Sequence, residues 1–377
     1  MSQPPPYPPT LVQEPGQLKR ILPILKRQPR LAVDTESNSL YAYRERVCLI
    51  QISIPGADFL IDPLSLTDLE PLGPIFANSR IEKVFHAAEY DLLCMKRDFG
   101  FTVSNLFDTR VACRTLGCKQ TGLGDLLKEA FDVTLNKRYQ RANWGKRPLP
   151  PDLLDYARLD THYLLALRDR LEHELEQAGR LEESEEATLH LARIALNHED
   201  QPQGFWGISH ARTLAPAETA VLRELHLLRD KHARRLDRPA FKVMEDQILI
   251  EIARQQPVDL AALAQLPGMT PRQVERYGEE VLAAVARGQK APHPRRPRAE
   301  PADQKALARY EILRQWRKQA AAERHVESDV ILPREVLWEI ARAAPHELTD
   351  LQLLMTPLGW RFQSYGPAIL HALWNHP

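Results

Sequence analysis

Cysteine is scarce in this chain: 377 residues hold four, Cys48, Cys94, Cys113 and Cys118. None forms a CxxC pair or stands at paired metal-ligand spacing, which argues against a disulfide framework and a zinc site and for reduced thiols. Neither charge is in excess. Lys+Arg and Asp+Glu are both 50, so a globally basic nucleic-acid coat is excluded and any polyanion must be met by local patches. Long apolar runs are missing as well. No stretch suits a membrane span, and the opening "MSQPPPYPPT" lacks the apolar core of a signal peptide. The expectation is a cytoplasmic protein with no membrane contact.

What is present is enough for two or three cores: 44% of residues are hydrophobic. Strand-like runs stand at 31–35, 47–54, 57–62 and 83–87, and helical patterns at 89–98, 109–118 and 122–131. One long helix is expected from Pro151 to about Ala178, with prolines at its start and Gly179 at its end. Mixed strands and helices point to an α/β domain with one mixed sheet. Beyond 180 the pattern is helical only. The stretch 161–200, with ten acidic and four basic residues, reads as a solvated surface.

The second half repeats itself. Residues 222–285 map onto 310–373 at a constant offset of 88. "IAR" at 252–254 returns at 340–342, Pro257 as Pro345, Leu263 as Leu351 and "YG" at 277–278 as 365–366. Two small helical bundles of one fold are implied, joined by the Pro/Arg-rich "RGQKAPHPRRPRAEP".

Chemistry begins at "LAVDTES", residues 31–37. On a strand, Asp34 and Glu36 share a face, and two adjacent buried carboxylates need a positive partner. In "PDLLDYARLDTHYLLALRDRL", Asp160 interrupts an apolar stripe, with Tyr156 one turn earlier. In "VFHAAEYDLL", Asp91 opens a helix after a strand that ends near His86. Oxygen donors from three separate elements suit hard divalent cations such as Mg2+ or Mn2+, and two such ions serve in-line phosphoryl displacement.

These three segments, "DTE", "HAAEYDL" and "YARLD", resemble in order the motifs of the DEDD 3′–5′ exonucleases with tyrosine in the third motif, bacterial ribonuclease D foremost. The 88-residue repeat is similar to HRDC domains. The resemblance implies an α/β ribonuclease H-like exonuclease domain followed by two small all-α HRDC-type bundles. Its domain division is a proline-rich tail at 1–15, the exonuclease at 16–200, a linker at 201–215, an HRDC domain at 216–289, a linker at 290–301 and a divergent HRDC-like domain at 302–377. It also implies two divalent ions, Mg2+ or Mn2+, held by Asp34, Glu36, Asp91 and Asp160, with Tyr156 orienting the attacking water and His86 near the terminal nucleotide. No organic cofactor is implied. The implied substrate is RNA with a free 3′ end, such as a tRNA precursor. DNA as the substrate, or an inactive nucleic-acid-binding protein, are the alternatives. Ser37 stands where many ribonuclease D sequences carry an aromatic residue.

A track for single-stranded nucleic acid is expected at 137–147, "KRYQRANWGKR", which has five basic residues and no acidic one. Positive charge interleaved with aromatic faces is the composition such tracks use. Lys137, Arg138, Trp144 and Arg147 are its candidate contacts, although a core position for Trp144 fits the same pattern. In the first repeat, the basic "RDKHARRLDRPAFKV" and the Gly268 loop suit RNA. In the second, packing fits equally well.

Overall fold

The computed structural model describes residues 7–197, 204–295 and 303–374. They fall into two compact units. One comprises the described residues of Met1–Ser37, Val47–His198 and Glu300–Pro377, the other those of Asn38–Arg46 and Glu199–Ala299.

The first unit is built on a six-stranded mixed sheet. Its strands are β1 (Thr10–Val12), β2 (Arg30–Ser37), β3 (Val47–Ile54), β4 (Ala57–Ile61), β5 (Glu82–Phe85) and β6 (Leu106–Asp108), in the order β1-β4-β3-β2-β5-β6. β2 lies inside the sheet, antiparallel to β3 and parallel to β5. The helices are α1 (Pro15–Lys26), α2 (Gly73–Phe76), α3 (Glu89–Phe99), α4 (Thr109–Leu116), α5 (Leu123–Phe131), α6 (Pro151–His162), α7 (Leu164–Gln177) and α8 (Leu181–Asn197).

Alternation along β2 sorts its residues between two layers. Leu31 and Val33 join the cluster with Leu18, Ile21 and Leu25 of α1 and Leu92 and Met95 of α3. Ala32 joins the opposite cluster, with Leu164, Leu167 and Leu171 of α7. Asp34 and Glu36 share the parity of Ala32, so they stand on the side covered by α6 and α7.

Three expectations change. Thr10–Val12 pairs parallel with β4, so the sheet begins before residue 16. The long helix is two helices, parted at Tyr163. Leu153 and Ala157 of α6 pack in one cluster and Leu164, Leu167 and Leu171 of α7 in another, so a break lets each half cover different strands of the same face, α6 over β3 and β4 and α7 over β2 and β5. The acid-rich stretch, finally, is not all solvated. Glu183 and Glu186 of α8 are buried and pair with Arg324 (2.6 Å) and Arg361 (2.7 Å) of the second repeat.

The repeats are α9 (Pro216–Leu236), α10 (Ala240–Val243), α11 (Asp246–Gln255), α12 (Leu260–Ala264) and α13 (Pro271–Lys290), then α14 (Gln304–Arg324), α15 (Ser328–Ile331), α16 (Arg334–Ala343), α17 (Leu348–Leu354) and α18 (Gly359–Trp374). Every helix of the second set starts 88 residues after its counterpart. The first bundle holds the segment that follows β2: the Tyr43 hydroxyl donates to Asp230 (2.6 Å), the Tyr43 N–H to Asp237 (3.1 Å), and Lys242 lies 4.1 Å from the Tyr41 ring centroid. Within its basic helix Arg229 and His232 are buried, and Arg229 is paired with Asp246, so the stripe is partly internal. Gly268 has φ +88° with Ile248 3.0 Å from where a Cβ would stand, so backbone geometry alone requires glycine there. Of the second linker, residues 296–301 lie outside the described residues. No helix among the described residues is long and apolar enough to cross a membrane.

Candidate active site

Asp34, Glu36, Tyr156 and Asp160 line one cavity of about 560 Å³ together with His86, Arg110, Gln140 and the 121–125 turn. β2 brings the first two to the floor, and the last turns of α6 bring Tyr156 and Asp160, both less than a tenth exposed, across from them. Asp91 arrives from the other layer, in the first turn of α3. There the Thr35 hydroxyl, on the opposite face of β2 from Asp34, donates to its carboxylate (2.5 Å).

The electrostatics tie the four carboxylates into one system. Burial, then the charges of Asp91, Asp160 and Glu36, raise Asp34 well above the carboxylate range. Burial, then Asp160 and Asp91, does the same to Glu36. Burial pushes Asp91 up to about 7 against the hydrogen bonds from Thr35. It pushes Asp160 to about 7 against the one from Tyr156. Burial followed by Asp160, Glu36 and Asp34 lifts the Tyr156 phenol well above its ordinary range. That phenol stays protonated at any working pH and donates to Asp160. Among the described residues, no three carboxylate, imidazole or thiol groups already surround a common point as metal ligands. The donor set nonetheless fits a hard cation: it is all oxygen, and buried repelling carboxylates are the groups a divalent ion relieves.

The turn between β5 and α3 has its own anchor, which the sequence reading missed. Asp108, almost fully buried, accepts from the N–H groups of Ala87 (3.1 Å) and Ala88 (2.7 Å) and caps α4 through Arg110 (2.8 Å) and Val111 (3.1 Å). It fixes the turn carrying His86 and Asp91 to the start of α4. The signal was an aspartate directly before a helical run. Within that turn, His86 Nδ1 lies 2.9 Å from the Thr109 hydroxyl. Burial lowers its pKa to about 4, so it is neutral at pH 7.

Two expected RNA contacts are corrected. Trp144 is 1% exposed, with its ring 6.1 Å from that of Tyr156; it supports the tyrosine from the core and offers no face to a base. Arg147 is bound to the fully buried Asp62 through Nε and Nη2, each at 2.6 Å, and to the Cys48 and Trp144 carbonyls. Burial opposes ionisation of Asp62, but Arg147, then Gln13 and Ser65, hold it down to about 2. Arg147→Ala would strand that carboxylate. The expected loss is about 3–5 kcal/mol of stability, read in urea unfolding, rather than a selective loss of RNA affinity. Arg138 is exposed beside Tyr139, Gln140 lines the cavity, and Lys137 begins the short turn Lys137–Arg141.

Residues 9–176 match the family model described as 3′-5′ exonuclease, and 218–285 and 306–373 each match the HRDC domain. Ribonuclease D of Pseudomonas paraeruginosa is 30% identical over 359 residues, spanning 92% of this chain and 93% of that protein. The chain belongs to the ribonuclease D family. By family it is a 3′–5′ exoribonuclease, a hydrolase acting on RNA. RRP6-like 2 of Arabidopsis thaliana is 32% identical over 288 residues, but the chain spans only 33% of its length. Escherichia coli RNase D shares the fold, with TM-score 0.72 at 24% identity over 98% of this chain and all of that one. DEDD exonucleases, the class to which ribonuclease D belongs, depend in general on divalent metal.

Proposed function

We propose that this ribonuclease D-family chain removes nucleotides one at a time from the free 3′ ends of RNA, tRNA precursors among them, in the cytoplasm. In this reading the exonuclease domain runs to about residue 200, and the HRDC repeats occupy 216–289 and 302–377. Asp34, Glu36, Asp91 and Asp160 would hold two divalent ions, Mg2+ or Mn2+, with Asp34 common to both. Such ions supply Lewis acidity and a nucleophilic hydroxide at neutral pH. Tyr156 aims the attacking water, because a protonated phenol bonded to Asp160 can position a water but not take its proton. His86, neutral and fixed to Thr109, offers hydrogen bonding to the terminal nucleotide, and Lys137 and Arg138 offer charge to the strand. The observation that carries this reading is the convergence of four mutually repelling carboxylates from both layers of the sheet, Asp91 and Asp160 buried and Asp34 and Glu36 half-buried at the cavity.

A gel assay with matched 5′-labelled RNA and DNA tests it. RNA should shorten in single-nucleotide steps in Mg2+ or Mn2+ and stop in EDTA. Equal or faster loss of DNA would reverse the substrate assignment. Binding without any ladder in either metal would leave a nucleic-acid-binding protein.

Metal removal also has a sign. Asp91 and Asp160 bind protons more tightly folded than unfolded. The stability this confers is fully present below about pH 4, the unfolded carboxylate value, and is lost as pH rises through about 7. In EDTA, Tm should therefore fall between pH 5 and pH 8, and Mg2+ should restore most at pH 8. A Mg2+ effect equal at both pH values would contradict the assignment.

A further inference from the structure

Gln51 of β3 stands directly opposite Asp34 of β2 in the antiparallel register. Opposed residues share a face, with Cβ atoms about 4.5–5.5 Å apart. That face is covered by α6: Leu49 packs with Tyr156 and Ala157, and the Ser53 hydroxyl lies 2.7 Å from that of Thr161. Gln51, between them, is fully buried, yet neither its Nε2 nor its Oε1 has a hydrogen-bond partner among the described residues. Packing does not require an amide there. Its sequence neighbours Ile50 and Ile52 fill the other layer with aliphatic groups, and a buried amide left unpaired is destabilising. A donor and an acceptor have been placed beside the carboxylate shared by both proposed ion sites.

We propose that Gln51 is a positioning residue for the divalent-cation site. With the cation bound, its Nε2 would turn to donate to the Asp34 carboxylate, and its Oε1 would accept from a water that enters with the ion. An amide suits both tasks, because it carries donors and an acceptor on one rigid plane. Groups that hold metal ligands in place typically govern affinity by about 10–100-fold. The inference rests on the metal reading above, and its test separates the two.

Free Mn2+ would be titrated by electron paramagnetic resonance into the full-length wild-type protein and Gln51→Met, whose side chain has a similar reach and no amide. The expected result is Mn2+ affinity lower by about 10–100-fold in the variant, with Tm in EDTA unchanged or raised. Wild-type affinity in Gln51→Met would overturn the inference alone. A wild-type protein that binds no Mn2+ would overturn the metal reading and this inference with it. A second measurement needs no variant: the side-chain amide resonances of Gln51 should shift when Mg2+ is added to the wild-type protein. Unmoved Gln51 resonances beside a shifted Asp34 would refute the contact.

Discussion

Replacing Asp34 with asparagine should cut RNA turnover by about 10³-fold or more and, in EDTA at pH 8, leave the protein more stable than the wild type. The two effects share one cause. Asp34 is raised by burial and by three neighbouring carboxylates, so its charge burdens the fold unless a cation balances it. Asparagine keeps the shape and removes the charge, which relieves the repulsion and weakens the hold on the ions. The rate loss corresponds to the several kcal/mol of transition-state stabilisation that bound metal supplies. Activity would come from single-turnover gels and stability from thermal unfolding. A variant that is inactive but less stable in EDTA would mean that Asp34 is paired in the fold by something other than a cation.

Tyr156→Phe should lower turnover about 10²-fold while RNA affinity, by fluorescence anisotropy, stays within about twofold. The ring is held by Trp144 and Tyr139, with centroids 6.1 and 5.7 Å away, so phenylalanine can occupy the same place. Only the hydroxyl is lost, and with it the bond to Asp160 and the hold on the water. Because the phenol lies far above its ordinary pKa, the remaining rate should keep the wild-type pH profile between pH 7 and 9. Affinity falling in step with rate would show that the hydroxyl binds RNA instead.

Much of this was legible from residue order because local pattern and fold agree. β3 spans Val47–Ile54 as its apolar run suggests, and the 88-residue offset reappears in every helix start of the two bundles. The carboxylates were legible because polar residues interrupt apolar runs at Asp34 and Asp160. What escaped depends on partners distant in sequence. β1 and β6 have three residues each, too few for an alternation to register. Glu183 and Glu186 look like surface charge until Arg324 and Arg361, some 140 and 175 residues on, are brought to them. Arg147 looks like a phosphate contact until Asp62 is found beneath it. Gln51 reads as one polar residue in a strand, and only the register that sets it opposite Asp34 gives it meaning. The break at Tyr163 carries no proline or glycine, so helical periodicity runs straight through it.

The most direct test is to locate the cations. Crystals of the protein soaked in Mn2+ should show anomalous peaks at the floor of the Asp34 cavity, one beside Glu36 and Asp160 and a second between Asp34 and Asp91. A Mn2+-soaked crystal with no peak in that cavity, from a preparation that still shortens RNA, would contradict the account.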